Sequence, residues 1–387
     1  MQALIVLGLA LSFSAFGAVQ VEWNAPLADC TPVDLAVDPE GQSYVTCQQP
    51  YGEAAVVYRY ASNGRLTGTR SLPALDKGSL MPRDLLLHEG ILYLSLTLQT
   101  DDATHSQLIA LEPASLQILW QDEGSHFVGL NLVALPHGGI WWLGVNDARD
   151  ADILASRYTR SGTRAASFRY DSGVHDSLGF DRRSGAAGPA SSLYIGGFSE
   201  VLRVADDGTL LWKKDFPTTA IASRVDGELI ATNLRAPLGS TARFDEDGKL
   251  IWQVDQGASA LTLAPDQTIW MAGTKVVGQT ADWDVRLLQL SENGAVQARD
   301  DYVGPFQDRA VDIATDAAGN AYVLASSYVK SGWLGTVDRY LILKYDRAGA
   351  RLWSHLYGAV GLPEALHVTA EGGVYAVGRD GMILLRD

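Results

Sequence analysis

One pattern recurs about eight times along this chain, and it constrains the fold more than anything else in the sequence. The clearest copy runs from Ala310 to Tyr357. It starts with the strand-like AVDIATDAAGNAYVLASS, passes through a polar loop, and resumes at DRYLILKYDRAGARLWSHLY. Apolar alternation marks strands, and the Asp-x-x-Gly gaps mark tight hairpins. Each unit therefore reads as four antiparallel strands, one blade of a propeller. Further first strands begin at Val33, Arg83, Asn131, Ser177, Thr219, Ala260 and Ala365. Trp120, Trp212, Trp252 and Trp353 occupy equivalent places in fourth strands. The repeat length of roughly 40 to 50 residues suits propellers.

The ends of the chain decide how the ring closes. The sequence stops at GMILLRD, which matches only a third strand, while VQVEW near the start supplies a strand without a unit. Pairing Val19–Trp23 with Met382–Arg386 covers both sheet edges, which otherwise invite association. The reading is all-β, an eight-bladed β-propeller with its last blade stitched from both ends. Seven blades is the fallback if the irregular fourth unit, interrupted by DRRSGAAGPASS, forms no separate blade.

Composition narrows the partners. A net charge of −15 opposes nucleic-acid binding, which needs a basic footprint to displace counterions. The apolar run Ala3–Leu11, followed by small residues, reads as a secretory signal over residues 1–18, with residues 19–387 forming the single propeller domain. The run is too short to span a bilayer comfortably. The expectation is a periplasmic or secreted protein, a monomer with no membrane span. Cys30 and Cys47 are the only cysteines; in an exported protein they suit a disulfide, the alternative being two buried thiols.

At AVDIATDAAGNAYV and DRYLILKYDRAGARLW the chain resembles the bacterial SBBP β-propeller repeat family, with its Asp-x-x-Gly-Asn turn, Tyr-Val strand and Lys-Tyr-Asp-x-x-Gly turn leading to Leu-Trp. Gln42 replaces the turn Asn in the first unit. That resemblance implies the fold and specifies no activity. DEDGKLIW (Asp245–Trp252) is also similar to repeats of quinoprotein dehydrogenases and of the outer-membrane assembly scaffold lipoprotein. Quinoprotein dehydrogenases often carry adjacent cysteines, and this chain has no adjacent pair.

Two regions are candidate binding surfaces. Turns after first and third strands are tight, whereas loops after second strands are long and varied, so one face of the disc is loop-rich. Tyr51, Trp283, Tyr328 and Trp333 belong to that face, either stacking on a sugar or peptide or packing within their own loops. First strands line a propeller's channel, and Asp34, Asp84, Asn131 and Asp312 fall at equivalent starts. They suit either a polar ring at the channel mouth, binding a neutral polyol or weakly binding Ca²⁺, or caps on backbone N–H groups. Asp147, Asp150 and Asp152 in one loop are a second place where Ca²⁺ chemistry is conceivable, though Asp152, Asp284 and Asp338 recur before third strands as caps do. No other metal or cofactor is expected.

No G-x-S-x-G, G-x-G-x-x-G, P-loop or H-E-x-x-H motif occurs. The leading reading is therefore a binding or scaffold protein that takes a protein or carbohydrate partner through its loop-rich face and channel mouth. The alternative is a carbohydrate-active enzyme, a polysaccharide lyase or glycoside hydrolase, with its site at the central channel.

Overall fold

The computed structural model describes residues 19–27, 29–74, 78–100, 103–125, 127–146, 151–173, 176, 178, 184–234, 239–277, 282–330, 336–358, 361–379 and 381–386. The proposed signal segment and Trp333 lie outside these residues, as do Asp147 and Asp150. The described strands form eight four-stranded antiparallel sheets. In chain order, blades 1 to 7 occupy residues 31–73, 79–125, 127–170, 185–214, 220–254, 260–302 and 307–356. Blade 8 combines residues 363–386 with the strand Gln20–Ala25.

The two segments pair antiparallel as expected, with the N-terminal strand running on to Ala25. Gln20 pairs with Arg386, Trp23 with Leu384 and Ala25 with Met382. One expectation needs correction. The first strand of blade 4 is Gly185–Ala187, not the segment starting at Ser177. Within that earlier segment only Leu178 is described, and it makes a single bridge to Gly197. The blade forms nonetheless, because Leu193–Gly196 and the two strands after it complete the sheet.

Blade interiors supply the core. Second strands are almost fully buried, as in Ile91–Leu98 and Ala321–Ser327, because sheets pack on both of their faces. Fourth strands alternate exposed and half-buried, as outer edges should.

The repeated Trp is a fastener between blades. Trp120 Nε1 donates to the Arg160 carbonyl at 3.0 Å, Trp212 to Glu246 at 2.8 Å and Trp252 to Glu292 at 2.8 Å. Each carbonyl belongs to the third-to-fourth turn of the next blade. The glycine of that turn lies on the indole. A Cβ at Gly162 would sit 2.6 Å from the Trp120 ring and one at Gly248 2.7 Å from Trp212, and both glycines have positive φ. The x-x-Gly turn and the Trp are thus two halves of one contact.

Strand length varies around the disc and shapes its loop-rich face. The first three strands of blade 5 have four, five and five residues. Those of blade 7 have nine, ten and ten. Blade 7 therefore stands taller than blade 5 on that face, and Arg309 and Tyr328 are exposed there while Asp308 and Ser327 are buried.

Candidate binding site on the loop-rich face

The extra height of blades 6 and 7 builds a cavity of about 500 Å³. Blade 6 contributes Trp283, blade 7 contributes Gln307, Arg309, Val311, Ser326, Tyr328 and Asp338, and the approach to blade 8 contributes Leu362. Strand periodicity selects these residues. Gln307 and Arg309 are alternate residues on one strand, and Ser326 and Tyr328 on the next, so each pair presents a common face. Gln307 lies opposite Tyr328 in the ladder, and Tyr328 lies opposite Asp338.

The chemistry of the cavity is mixed. The Arg309 guanidinium lies 4.1 Å from the centre of the Trp283 ring, a close cation–π contact. Ser326, buried, donates its hydroxyl to Asp338 Oδ1 and so orients that carboxylate. Tyr328 and Leu362 are each about two-fifths exposed, at 42% and 40%. Aromatic walls, one cation and one oriented carboxylate converge on a concave surface, the usual make-up of a specific binding site.

Of the aromatics expected on this face, Trp283 and Tyr328 come together in the cavity. Tyr51 stands apart on blade 1, 93% exposed. Other exposed apolar side chains on the same face are Phe198, Leu234 and Val303. On the opposite, tight-turn face Val225 is exposed, at 88%. Arg309 escaped the sequence reading because nothing local distinguishes it; its value comes from Trp283 on a neighbouring blade.

The channel-mouth residues also occupy equivalent places, each just after a bulge in its first strand, at Pro32/Asp34, Pro82/Asp84, Gly129/Asn131 and Ala310/Asp312. Their carboxylates hold backbone N–H groups of two blades at once. Asp34 accepts from its own neighbour Leu35 at 2.9 Å and from Leu85 of blade 2 at 3.0 Å. Asp84 accepts from Leu85, from Leu132 of blade 3 at 2.6 Å and from the Asn131 side chain at 3.0 Å. Asp312 accepts from Ile313 and from Leu366 of blade 8. The caps expected within one blade extend to the next, so these residues staple the ring.

Asp152 and Asp338 differ from the simple caps their spacing suggests. Asp152 accepts from the Asn146 side chain at 2.7 Å and pairs with Arg169 at 2.6 Å, and Asp338 takes the Ser326 hydroxyl. Both are held by side chains rather than by backbone N–H groups alone.

Displaced protonation equilibria are spread over the disc. Burial pushes the phenols of Tyr44 and Tyr60 in blade 1 and of Tyr194 in blade 4 up to about 12. Burial also raises the Glu200 carboxyl, helped by the nearby Asp176 charge. His367, on the first strand of blade 8, is held below the ordinary imidazole range by burial, against the pull of Asp34 and Asp312. These groups do not converge on one cleft.

Cys30 and Cys47 form a disulfide with Cα atoms 5.6 Å apart, within the separation such bonds require. It joins the connection before blade 1 to the second strand of that blade. Among the described residues no helix is long and apolar enough to cross a membrane.

The ring of eight blades, fastened by Trp–turn contacts, defines a β-propeller built from quinoprotein-like repeats. Residues 150–377, more than half of the chain, match the family described as outer membrane protein assembly factor BamB, and the chain belongs to that family. No significant match is found among curated proteins. Among solved structures, the quinohemoprotein alcohol dehydrogenase ADHIIG of Pseudomonas putida HK5 is similar at 12% identity and a TM-score of 0.58, over 95% of this chain and 76% of that one. A streptogramin B lyase is similar at 12% identity and a TM-score of 0.50, over 95% of this chain and 97% of that one. Prolyl endopeptidases are similar at 11% identity and a TM-score of 0.52, over 92% of this chain and 54% of theirs. At such identities the likeness concerns the fold alone.

Proposed function

We propose that this protein is a non-enzymatic scaffold of outer-membrane protein assembly that grips a protein partner with the loop-rich face of blades 6 to 8. One observation carries the reading: Trp283, Arg309 and Tyr328 converge on a single cavity. Trp, Tyr and Arg are the residue types that dominate binding energy at protein interfaces, above all when set in a pocket. The exposed Leu362 and Val303 extend the apolar surface around it. The family supports the assembly role. The disulfide and the apolar run over residues 1–18 support placement in the periplasm or outside the cell. The SBBP-like turns of blades 1 and 7 fit the same architecture and add no activity.

The test is genetic and structural together. Deletion in the native host is expected to lower the amount of folded β-barrel protein in its outer membrane. A Trp283→Ala/Arg309→Ala/Tyr328→Ala variant with an unchanged melting temperature is expected not to restore it. A photo-crosslinker at position 328 is expected to capture a component of the assembly machinery, and one at position 225, on the opposite face, is not. Full complementation by the triple variant overturns the assignment of the site. Unchanged outer-membrane protein after deletion overturns the role. The carbohydrate-active reading is tested separately: cleavage of a defined polysaccharide by the purified protein would establish it in place of the scaffold.

A further inference from the structure

The repeat plugs the outer part of each junction between blades with a pair of side chains, and one junction lacks both. The first plug lies four residues on from the Trp position of a fourth strand. It is Leu72 in blade 1, Tyr170 in blade 3, Phe216 in blade 4, Tyr302 in blade 6 and Tyr357 in blade 7. Each packs in the core shared with the next blade. The second plug is a third-strand residue of that next blade: Ile109, Leu202, Leu288, Leu343 or Ile383. Blade 5 has Ala242 and Gln256 at these places, but in two different junctions, so each junction keeps one large plug. Between blades 2 and 3 both are small, Gly124 and Ser156.

A cavity of about 380 Å³ opens at this junction, on the outer side of the disc. That size lies within the range of small-molecule sites. Phe127 and Trp142 form its floor, edge-on with ring centres 4.5 Å apart, and Leu154 adds an apolar wall. Gly124 admits Phe127, because a Cβ there would lie 2.9 Å from the ring. The charged groups of the lining are Arg164, Arg169 and Glu123. Arg164 donates Nη2 to Asp122 at 2.6 Å and Nε to the Tyr158 hydroxyl at 3.0 Å. Arg169 gives Nη2 to Asp152 at 2.6 Å, with its side chain 65% exposed. A guanidinium has five N–H donors, so both arginines keep donors for a ligand. Glu123 accepts the Gln107 side-chain amide at 3.2 Å and keeps acceptor capacity. Ser156 and Ser167, opposite each other in the ladder, add hydroxyls.

We propose that this cleft binds a free α-amino acid with a large apolar side chain. The chemistry of the lining selects that class. A simple anion would meet Glu123 as well as the arginines, and a simple cation would meet two guanidiniums. A zwitterion satisfies both signs: its carboxylate takes the remaining N–H groups of Arg164 and Arg169, and its ammonium donates to Glu123. Its side chain fills the space that Leu, Phe or Tyr occupies at the other junctions, over Phe127, Trp142 and Leu154. The ligand thereby supplies from solution the plug that Gly124 and Ser156 omit, and binding is independent of the partner site on blades 6 to 8.

The experiment uses calorimetry on the purified full chain, with L-phenylalanine as the probe. Saturable binding and a raised melting temperature are expected. Glycine, which lacks the side chain, 3-phenylpropionate, which lacks the ammonium, and phenethylamine, which lacks the carboxylate, are each expected to bind about tenfold more weakly or worse. Ser156→Leu restores a plug and is expected to abolish binding while keeping the fold. Arg169→Gln, at an exposed position, and Glu123→Gln are each expected to weaken L-phenylalanine about tenfold. No binding of L-phenylalanine, L-tyrosine or L-leucine to the unmodified protein overturns the proposal, as does unchanged affinity in both Ser156→Leu and Arg169→Gln. Binding of 3-phenylpropionate as tight as that of L-phenylalanine overturns the zwitterion. Equally tight binding of N-acetyl-L-phenylalanine assigns the cleft to a peptide C-terminus and overturns the free amino acid.

Discussion

Trp23 Nε1 donates to the Ser62 carbonyl at 2.9 Å, so a strand that completes the last blade is fastened to a turn of the first. The contact repeats the Trp–turn fastener found between blades elsewhere in the ring. The indole also meets Tyr375 edge-on, with ring centres 5.9 Å apart. Arg386 pairs with Glu22 along the same two strands.

The seam therefore carries a measurable share of the stability. Trp23→Ala removes the hydrogen bond, the aromatic contact and the surface on which Gly64 rests, and is expected to cost about 3 kcal/mol. Gly64→Ala is expected to destabilise in the same direction, because its Cβ would lie 2.6 Å from the indole at a φ of 78°. Urea unfolding checks both. A loss below about 0.5 kcal/mol for Trp23→Ala, typical of an unremarkable surface change, refutes the role of the seam.

The staples at the channel make a second prediction. Asp84 holds the N–H groups of Leu85 and Leu132 and the Asn131 amide. Asp84→Ala leaves buried donors without this acceptor and is expected to cost about 2–3 kcal/mol. Asp312 is half-buried, so water replaces its carboxylate more readily, and Asp312→Ala is expected to cost less. Chemical denaturation of the two variants side by side decides the matter: equal or reversed costs contradict the assignment.

How much of this was readable in advance depended on the range of the interaction. The seam was legible because both ends of the chain show incomplete units, and an antiparallel ladder leaves few ways to join them. The Cys30–Cys47 bond was legible as a pair but not as a certainty, since sequence carries no distance. Asp34, Asp84 and Asp312 were legible as a set from their equivalent places, but their reach into the next blade was not, because one unit's alignment says nothing about its neighbour. The first strand of blade 4 was misplaced because Gly-Ala-Ala has weak strand propensity and pairs over only three residues. Trp283 and Tyr328 were visible as loop-face aromatics. Their convergence with Arg309 depends on the height of blades 6 and 7, which no local pattern encodes.

The disulfide gives a third prediction. Cys30 and Cys47 are 17 residues apart, and closing a loop of that size in the unfolded chain corresponds to about 3 kcal/mol. Both cysteines pack in the cluster that includes Ala25 and Leu27 beside the closing strand, and Met382 and Leu384 of its partner. Cys30→Ala/Cys47→Ala is therefore expected to lower stability by about that amount. It is also expected to speed hydrogen exchange at Val21–Ala25 before the other blades. Unchanged exchange there, despite lost stability, separates a purely unfolded-state effect from support of the seam.

The acid side of the stability curve supplies the last prediction. Burial holds the imidazole of His367 below its ordinary value, although Asp34 and Asp312 pull it back up, and burial alone lowers His355. The unfolded chain then takes up these protons at a higher pH than the folded one, near 6.5. In the interval between the folded and unfolded pKa values the unfolded state binds more protons, so stability rises with pH there. Stability from these two groups is complete above about pH 6.5 and is lost as the pH falls through that interval. The melting temperature is expected to drop between pH 7.5 and pH 5. Because carboxylates also contribute on acidification, the informative quantity is the difference between the unmodified protein and His367→Gln. The variant is expected to show a shallower drop, since glutamine takes no proton. Parallel curves for the two proteins across this range contradict the buried, proton-poor state assigned to His367.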